Sequence, residues 1–361
     1  MKIAFHPKLL DCLPTYNRAQ FGKDLASGIT VGVLALPLAM AFAIASGCSP
    51  AAGIWTAIVA GFITSACGGS RVQIGGPTGA FIPIIYGIVA MHGFANLMGA
   101  TMLAGIFLLA MGIARMGQLI RFIPVTVVIG FTNGIAVVIF LAQLKDFFGL
   151  QIDNLPAEFF ARIKTLAANA HTVDLPTLAL ATACFVLLLS YNRLAQRFAL
   201  LRRAPGPLVV LIVGTLAAFV FDLPVETIGS RFNGIPQELP NFGFPSVSVH
   251  DFGKLISPAI TIALLGAIES LLSARVADSQ IDDRHDPNQE LIAQGLSNIA
   301  APLFGGFAAT GAIARTTTNV KTGGRTPIAG IIHAVVLLGV VLIAAPLASY
   351  VPLATLSAIV M

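Results

Sequence analysis

Charge is the scarcest property of this 361-residue sequence: Asp, Glu, Lys and Arg make up 10% of it, against about 25% in soluble domains. With 56% hydrophobic residues, a soluble globule is excluded. The four cysteines, Cys12, Cys48, Cys67 and Cys184, lie far apart without a C-x-x-C pair. That spacing gives no support to a disulfide frame or a zinc site and leaves them as packing residues. No G-x-x-x-x-G-K-[ST] loop occurs, so a P-loop nucleotide site has no basis. No basic stripe with interleaved aromatics is present, so no nucleic-acid partner is expected. Residues 1–17 contain neither a long apolar core nor a small-residue cleavage site, and the first span is expected to insert without a removed signal peptide.

What the chain has instead is glycine and proline, 35 and 21 of them, interrupting apolar stretches as they do in membrane helices. Apolar runs of spanning length fall near 24–47, 51–67, 72–92, 95–114, 124–147, 176–191, 206–221, 256–276, 288–304, 306–322 and 327–347, with a further start at 352. Eleven spans and a fragment define a polytopic, all-α membrane protein. With a cytoplasmic N-terminus, 15 basic residues fall inside, 5 outside (Lys145, Arg162, Lys164, Arg231, Lys254), and Arg315 remains within the membrane. This is the bias of the positive-inside rule, so the net charge of +5 reports topology.

Small residues at spacing four, Gly53, Ala57 and Gly61, and again Gly130 and Gly134 beside Asn133, predict close helix packing. Asp286-Pro287-Asn288-Gln289 reads as a helix start, with an N-cap acid and Pro at the first position. The cluster Asp282, Asp283, His285 and Asp286 precedes that cap and reads as a solvated loop, with no metal site expected.

Two spans are broken. Val72-Gln73-Ile74-Gly75-Gly76-Pro77-Thr78-Gly79-Ala80-Phe81 predicts an extended start over 72–76 and then a helix over 78–92, together roughly 39 Å long. Gly305-Gly306-Phe307-Ala308-Ala309-Thr310-Gly311-Ala312-Ile313-Ala314-Arg315 repeats the pattern. The cores Thr78-Gly79-Ala80 and Thr310-Gly311-Ala312 lie 232 residues apart in spans of opposite direction, the mark of an inverted repeat. Pro77 is expected at a first helical position and Thr310 as an N-cap. Two helix N-termini meeting at the midplane, each with unsatisfied N–H groups and about half a positive charge, make an anion site.

Two charged side chains, Glu269 and Arg315, fall well within spans, where each costs on the order of 3 kcal/mol and a functional role is the default. Glu269 with the hydroxyls of Ser270 and Ser273 suits a proton or a sodium ion; a purely structural Glu269–Arg315 pair is the alternative. His333, alone in an apolar run, is expected to be satisfied by a neighbouring carbonyl.

Arg71 to Ala80, Phe122-Ile123-Pro124 with Gly130-Phe131, and Asn288-Gln289-Glu290-Leu291 followed by Ala309-Thr310-Gly311 and Arg315 together resemble the sulfate permease (SulP) anion transporters over essentially the whole chain. The resemblance implies a seven-plus-seven inverted-repeat transporter fold, with a short strand before each half-helix of spans 3 and 10. It further implies a cytoplasmic tail over 1–23, a core over 24–116 and 253–350, a gate over 117–223, an extracellular loop over 224–252, and the start of span 12 over 351–361. Measured against the family, the rest of the gate and a cytoplasmic STAS domain are expected to be absent from this sequence.

The implied substrate site comprises Gln73, Gly76, Pro77, Thr78, Gly79, Ala80, Ala309, Thr310, Gly311, Ala312 and Arg315, with Glu269 and Ser273 for the coupling ion. Two positions depart from the family: Leu38 follows Pro37 where a polar residue is common, and Ala314 replaces a common serine. The function implied is secondary active transport of a small anion, such as sulfate, bicarbonate or a dicarboxylate, coupled to H+ or Na+ through Glu269. The setting is a bacterial plasma membrane with the N-terminus cytoplasmic; no cofactor is expected, and a homodimer is compatible with the reading. The alternatives are an anion channel or a non-transporting anion-binding fragment, and, from a different class, an intramembrane enzyme using Glu269 and His333.

Overall fold

The computed structural model describes residues 5–118, 125–152, 155–156, 158–197, 205–233, 240, 242–246 and 252–361. Of the expected features, Phe122, Ile123 and Pro124, with Lys2, Arg121, Arg202 and Arg203, lie outside the described residues.

A short helix α1 (Lys8–Cys12) leads into α2 (Arg18–Ala45), whose N-cap Asn17 accepts from the Gln20 amide at 2.9 Å. Ser49 caps α3 (Pro50–Cys67), with proline in its first turn. Then come strand β1 (Gly75–Gly76), a 3-10 turn (Gly79–Phe81) and α4 (Ile82–Ile113). Helix α4 is two helices joined at Gly93, whose φ of +79° breaks the ladder where the sequence separates spans 3 and 4. The chain continues through α5 (Val125–Phe148), the short α6 (Phe159–Ala168), α7 (Leu175–Arg197), α8 (Gly206–Val220) and α9 (Ile228–Phe232). The second series is α10 (Phe252–Ile281), α11 (Pro287–Leu303), strand β2 (Thr310–Gly311), α12 (Ile313–Lys321), α13 (Ile328–Ala348) and α14 (Leu353–Val360). Asp286 caps α11, accepting from the amides of Asn288 and Gln289.

Among the described residues four segments are long and apolar enough to cross a membrane: Arg18–Ala45, Pro50–Cys67, Gly79–Ile113 and Gly253–Ile281. Shorter apolar helices occupy Leu175–Tyr191, Gly206–Val220 and Ile328–Ile343. Large apolar side chains such as Leu189, Phe219 and Ile343 point outward and exposed, as they do where lipid is the solvent.

The inverted repeat is visible in the packing. Helix α11 packs on α3 and α4, α13 on α3 and α2, and α10 on α4. Exchanging α2 with α10, α3 with α11, and the second half of α4 with α13 maps this set of contacts onto itself. Polar pairs join the two series at their shared centre: Thr64 Oγ1 lies 3.0 Å from Ser297 Oγ, and Thr56 Oγ1 accepts from the Phe307 amide at 2.9 Å. Gly53 meets the Ala39 carbonyl and the Ala43 methyl, and Gly61 meets His333, so the small-residue face of α3 does bury closely packed neighbours. Gly130 and Gly134 do not: among the described residues a Cβ at either would meet nothing within 4 Å.

Candidate functional site

The two broken spans meet backbone to backbone. Strands β1 and β2 pair antiparallel, Gly75 opposite Gly311 and Gly76 opposite Thr310, and the Ala312 amide adds a bond to the Ile74 carbonyl at 2.8 Å. The extended segment therefore forms as expected, but its ladder is two residues long. Gly76 has φ +148°, a conformation that favours glycine, and a Cβ there would run into Arg315 Nη1.

Helix starts differ from expectation by one or two residues. Pro77 precedes the helix instead of opening it; Thr78 is the N-cap and the turn begins at Gly79. Thr310 lies in β2 and Ala312 takes the cap position of α12. The two Thr-Gly-Ala cores are thus not structural counterparts. Strand pairing matches Gly75-Gly76 with Thr310-Gly311, and the caps match Thr78 with Ala312.

Around this crossing the hydroxyls hold the backbone. Ser270 Oγ sits 2.6 Å from Thr310 Oγ1 and accepts from the Gly311 amide at 3.0 Å, while Thr310 Oγ1 donates to the Gly266 carbonyl at 3.1 Å. Asn298 brackets Ala309 with two 2.9 Å bonds, one to its carbonyl and one from its amide. The Gly311 and Ala309 amides are therefore already bonded within the protein. The open surface is elsewhere: Thr78, Gly79 and Ala80 are half-buried, and Ile313 and Ala314 in the first turn of α12 are exposed. Phe42 of α2 and Ile139 of α5 both lie close to Gly79, and the surface beside these helix starts is the candidate mouth.

Glu269 borders that mouth, and its Oε2 accepts from Thr78 Oγ1 at 2.9 Å. Ser273 is not beside it; it is buried and its Oγ donates to Thr316 Oγ1 at 3.3 Å. Arg315 is 1% exposed. Its Nη2 donates to the Pro77 carbonyl, and its Nη1 has no hydrogen-bond partner. The Glu269–Arg315 ion pair is absent among the described residues: Glu269 turns to Thr78, whereas Arg315 turns behind β1. His333 is fully buried and packs against Gly61 of α3, and neither ring nitrogen meets hydrogen-bond geometry among the described residues.

Sequence reasoning passed over two buried carboxylates. Glu290 is fully buried; it accepts from Gln73 Nε2 (2.8 Å), Gln294 Nε2 (3.0 Å) and the Gly69 amide (3.0 Å). Gln73 thus lies behind β2, also donating to the Ser270 carbonyl at 3.2 Å, and supports the crossing without opening to the mouth. The signal was available: Glu290, Gln294, Ser297 and Asn298 form a polar stripe at i, i+4, i+7 and i+8. Asp24, also fully buried, accepts from Tyr16, Gln20, Arg325 and Thr326. In the 282–286 loop, Asp283 pairs with Arg71 at 2.9 Å and His285 Nδ1 lies 2.6 Å from Asp278.

The profile of the sulfate permease family matches residues 21–361. The chain belongs to the sulfate permease family. It is 44% identical to YvdB of Bacillus subtilis (strain 168) over 347 residues, covering 96% of this chain and 64% of that protein. It is 34% identical to the bicarbonate transporter BicA of Picosynechococcus sp. (strain ATCC 27264 / PCC 7002 / PR-6), over 93% of this chain and 60% of BicA. The chain therefore spans about three-fifths of the length of these relatives. The solved transmembrane domain of a cyanobacterial BicA superposes with a TM-score of 0.87 at 32% identity, covering 96% of this chain and 88% of that one. SLC26A9 shares the fold, with a TM-score of 0.85 at 19% identity over 98% of this chain and 59% of that one. The all-α multi-pass architecture read from the sequence is the architecture of this family.

Proposed function

We propose that the chain is the membrane-embedded part of a secondary active transporter that moves a small anion, bound at the mouth between the two half-helix starts. The observation that carries the reading is the β1–β2 crossing, which brings two helix N-termini together at a half-open surface. Each end offers unbonded N–H groups and about half a positive charge. Arg315 adds a full charge behind them. A buried guanidinium without a carboxylate partner is costly, and a bound anion supplies the missing counter-charge. The named relative BicA, a bicarbonate transporter, supports an anion as cargo; sulfate and dicarboxylates fit the same chemistry.

Glu269 is the coupling residue in this reading, loading H+ or Na+ while in contact with the cap Thr78, so cation and anion occupy one mouth. The four spans of each repeat form the transporting core, and α5, α7, α8 and α14 belong to the gate against which it moves. The distribution of basic residues supports a cytoplasmic N-terminus, and a bacterial plasma membrane is the setting in this reading. The test is uptake by proteoliposomes offered sulfate, bicarbonate, chloride and a dicarboxylate, with and without a sodium or pH gradient. Accumulation driven by a cation gradient is expected. Passive flux without coupling would instead favour an anion channel, and binding without flux would favour a non-transporting fragment.

A further inference from the structure

At the end of the molecule where α2 turns into α3, Leu155, Pro156 and Arg162 lie against or beside Tyr86 of α4. Tyr86 Oη donates to the Leu155 carbonyl, and the Arg162 guanidinium carbon lies 5.0 Å from the centre of the Tyr86 ring. Arg162 Nε donates to the Pro156 carbonyl at 2.9 Å. A guanidinium has five N–H donors; among the described residues only the one on Nε meets an acceptor, and no carboxylate pairs with Arg162. Yet the residue is 2% exposed. Burial lowers its pKa, the direction of a cation short of counter-charge.

The guanidinium borders a cavity of about 240 Å³, whose wall also includes Lys145, Asp146, Arg231 and the Gly47–Cys48 turn. Asp146 does not neutralise Arg162, because it is taken by Arg231 at 2.8 Å, which also contacts Glu226. A liquid water occupies about 30 Å³, so the space admits one small oxyanion with a few waters. The aromatic face below and the Pro156 carbonyl at Nε fix the guanidinium plane and leave its Nη edge, the edge that binds oxyanions in two-point fashion. A neighbouring cavity of about 830 Å³ shares Lys145, Asp146 and Arg231 and supplies an approach.

We infer that this cavity is a second anion site, separate from the half-helix mouth, in which Arg162 holds one small oxyanion such as sulfate or bicarbonate. With the N-terminus cytoplasmic, this end faces outside, and the site gathers anions where the transport path begins. It does not depend on the half-helix site being the transport site, since its residues are all different.

Selenate, a sulfate analogue with an anomalous signal, distinguishes the two. Crystals of the full chain soaked in selenate are expected to show one anomalous peak within hydrogen-bond distance of Arg162 Nη1 or Nη2, besides any peak at Thr78 and Ala314. Arg162→Gln should abolish that peak. In calorimetric titration with sulfate it should weaken one binding step at least tenfold and leave the other unchanged, while Arg162→Lys retains a weakened step. A wild-type map with no density at Arg162, at selenate concentrations that fill the half-helix mouth, overturns the inference even should Arg162→Gln fail to fold. So does a peak that persists in Arg162→Gln. An empty half-helix mouth with a filled Arg162 cavity would count against the proposed transport site alone.

Discussion

Thr78 Oγ1 donates a 2.9 Å hydrogen bond to Glu269 Oε2, so the residue capping the first half-helix is also the partner of a carboxylate from the opposite repeat. In the proposed function, protonation or cation binding at Glu269 and anion binding at the half-helix start would therefore act on one hydroxyl. Glu269→Gln keeps an acceptor for Thr78 and removes the titrating charge. Anion binding should survive while uptake loses its dependence on pH or sodium, measured in proteoliposomes with clamped gradients. Retained cation dependence would remove Glu269 from the coupling role.

Arg315 is buried, so in the proposed function its effect on an anion would be through its field. At an effective dielectric of about 20, a unit charge about 8 Å away is worth roughly 2 kcal/mol per ligand charge. Arg315→Ala should thus weaken a dianion about 30-fold more than a monoanion, whereas Arg315→Lys, which keeps the charge, should preserve most of that discrimination. Competitive binding of sulfate and chloride decides it; equal losses for both anions would make the arginine a prop for Pro77 and nothing more.

The two glycines at the crossing should respond differently to a methyl group. At Gly311 a Cβ would lie 2.6 Å from Gln73 Cδ, and Gln73 is pinned by Ser270 and Glu290. Gly311→Ala should lose roughly 1–3 kcal/mol of stability through overpacking. At Gly79 the nearest atom is the mobile tip of Ile139 at 2.8 Å, so Gly79→Ala should fold normally and lose anion affinity. Thermal melts in detergent paired with sulfate titration separate these outcomes.

How much of this was legible beforehand depended on the kind of signal. Glycine and proline marked the broken spans and the helix start at Asp286-Pro287, because each acts through its own backbone. The exact helix starts were not legible, since the repeated Thr-Gly-Ala invites a register that the pairing of Gly75 with Gly311 overrides. Arg315 and Ser273 were misjudged in direction for a related reason: sequence gives the span of a side chain, while its aim follows from which helix face the partner repeat covers. Glu290 stayed hidden because it sits one turn inside a capped helix, where an acid reads as ordinary dipole compensation.

Asp24 tests the stiffness of the first repeat against the second. It accepts from Tyr16 Oη and Gln20 Nε2 at 3.1 Å each, from the Arg325 and Thr326 amides at 3.0 and 3.4 Å, and from Thr326 Oγ1 at 2.6 Å. Asp24→Ala strands several buried donors at once and should cost on the order of 3 kcal/mol, read as a lowered melting temperature with anion affinity per folded molecule unchanged.

The two-residue ladder between β1 and β2 also bears on what the cargo experiences. Because the half-helices share backbone hydrogen bonds through Gly75, Gly76, Thr310 and Gly311, the two starts are tied to one another. An anion seated between them would keep the same coordinating atoms at every stage of its passage, with only the surroundings of the seat exchanged. In the proposed function, selectivity would then be a property of the seat itself, the same from either side of the membrane, and the direction of net flow would be left to the gradients.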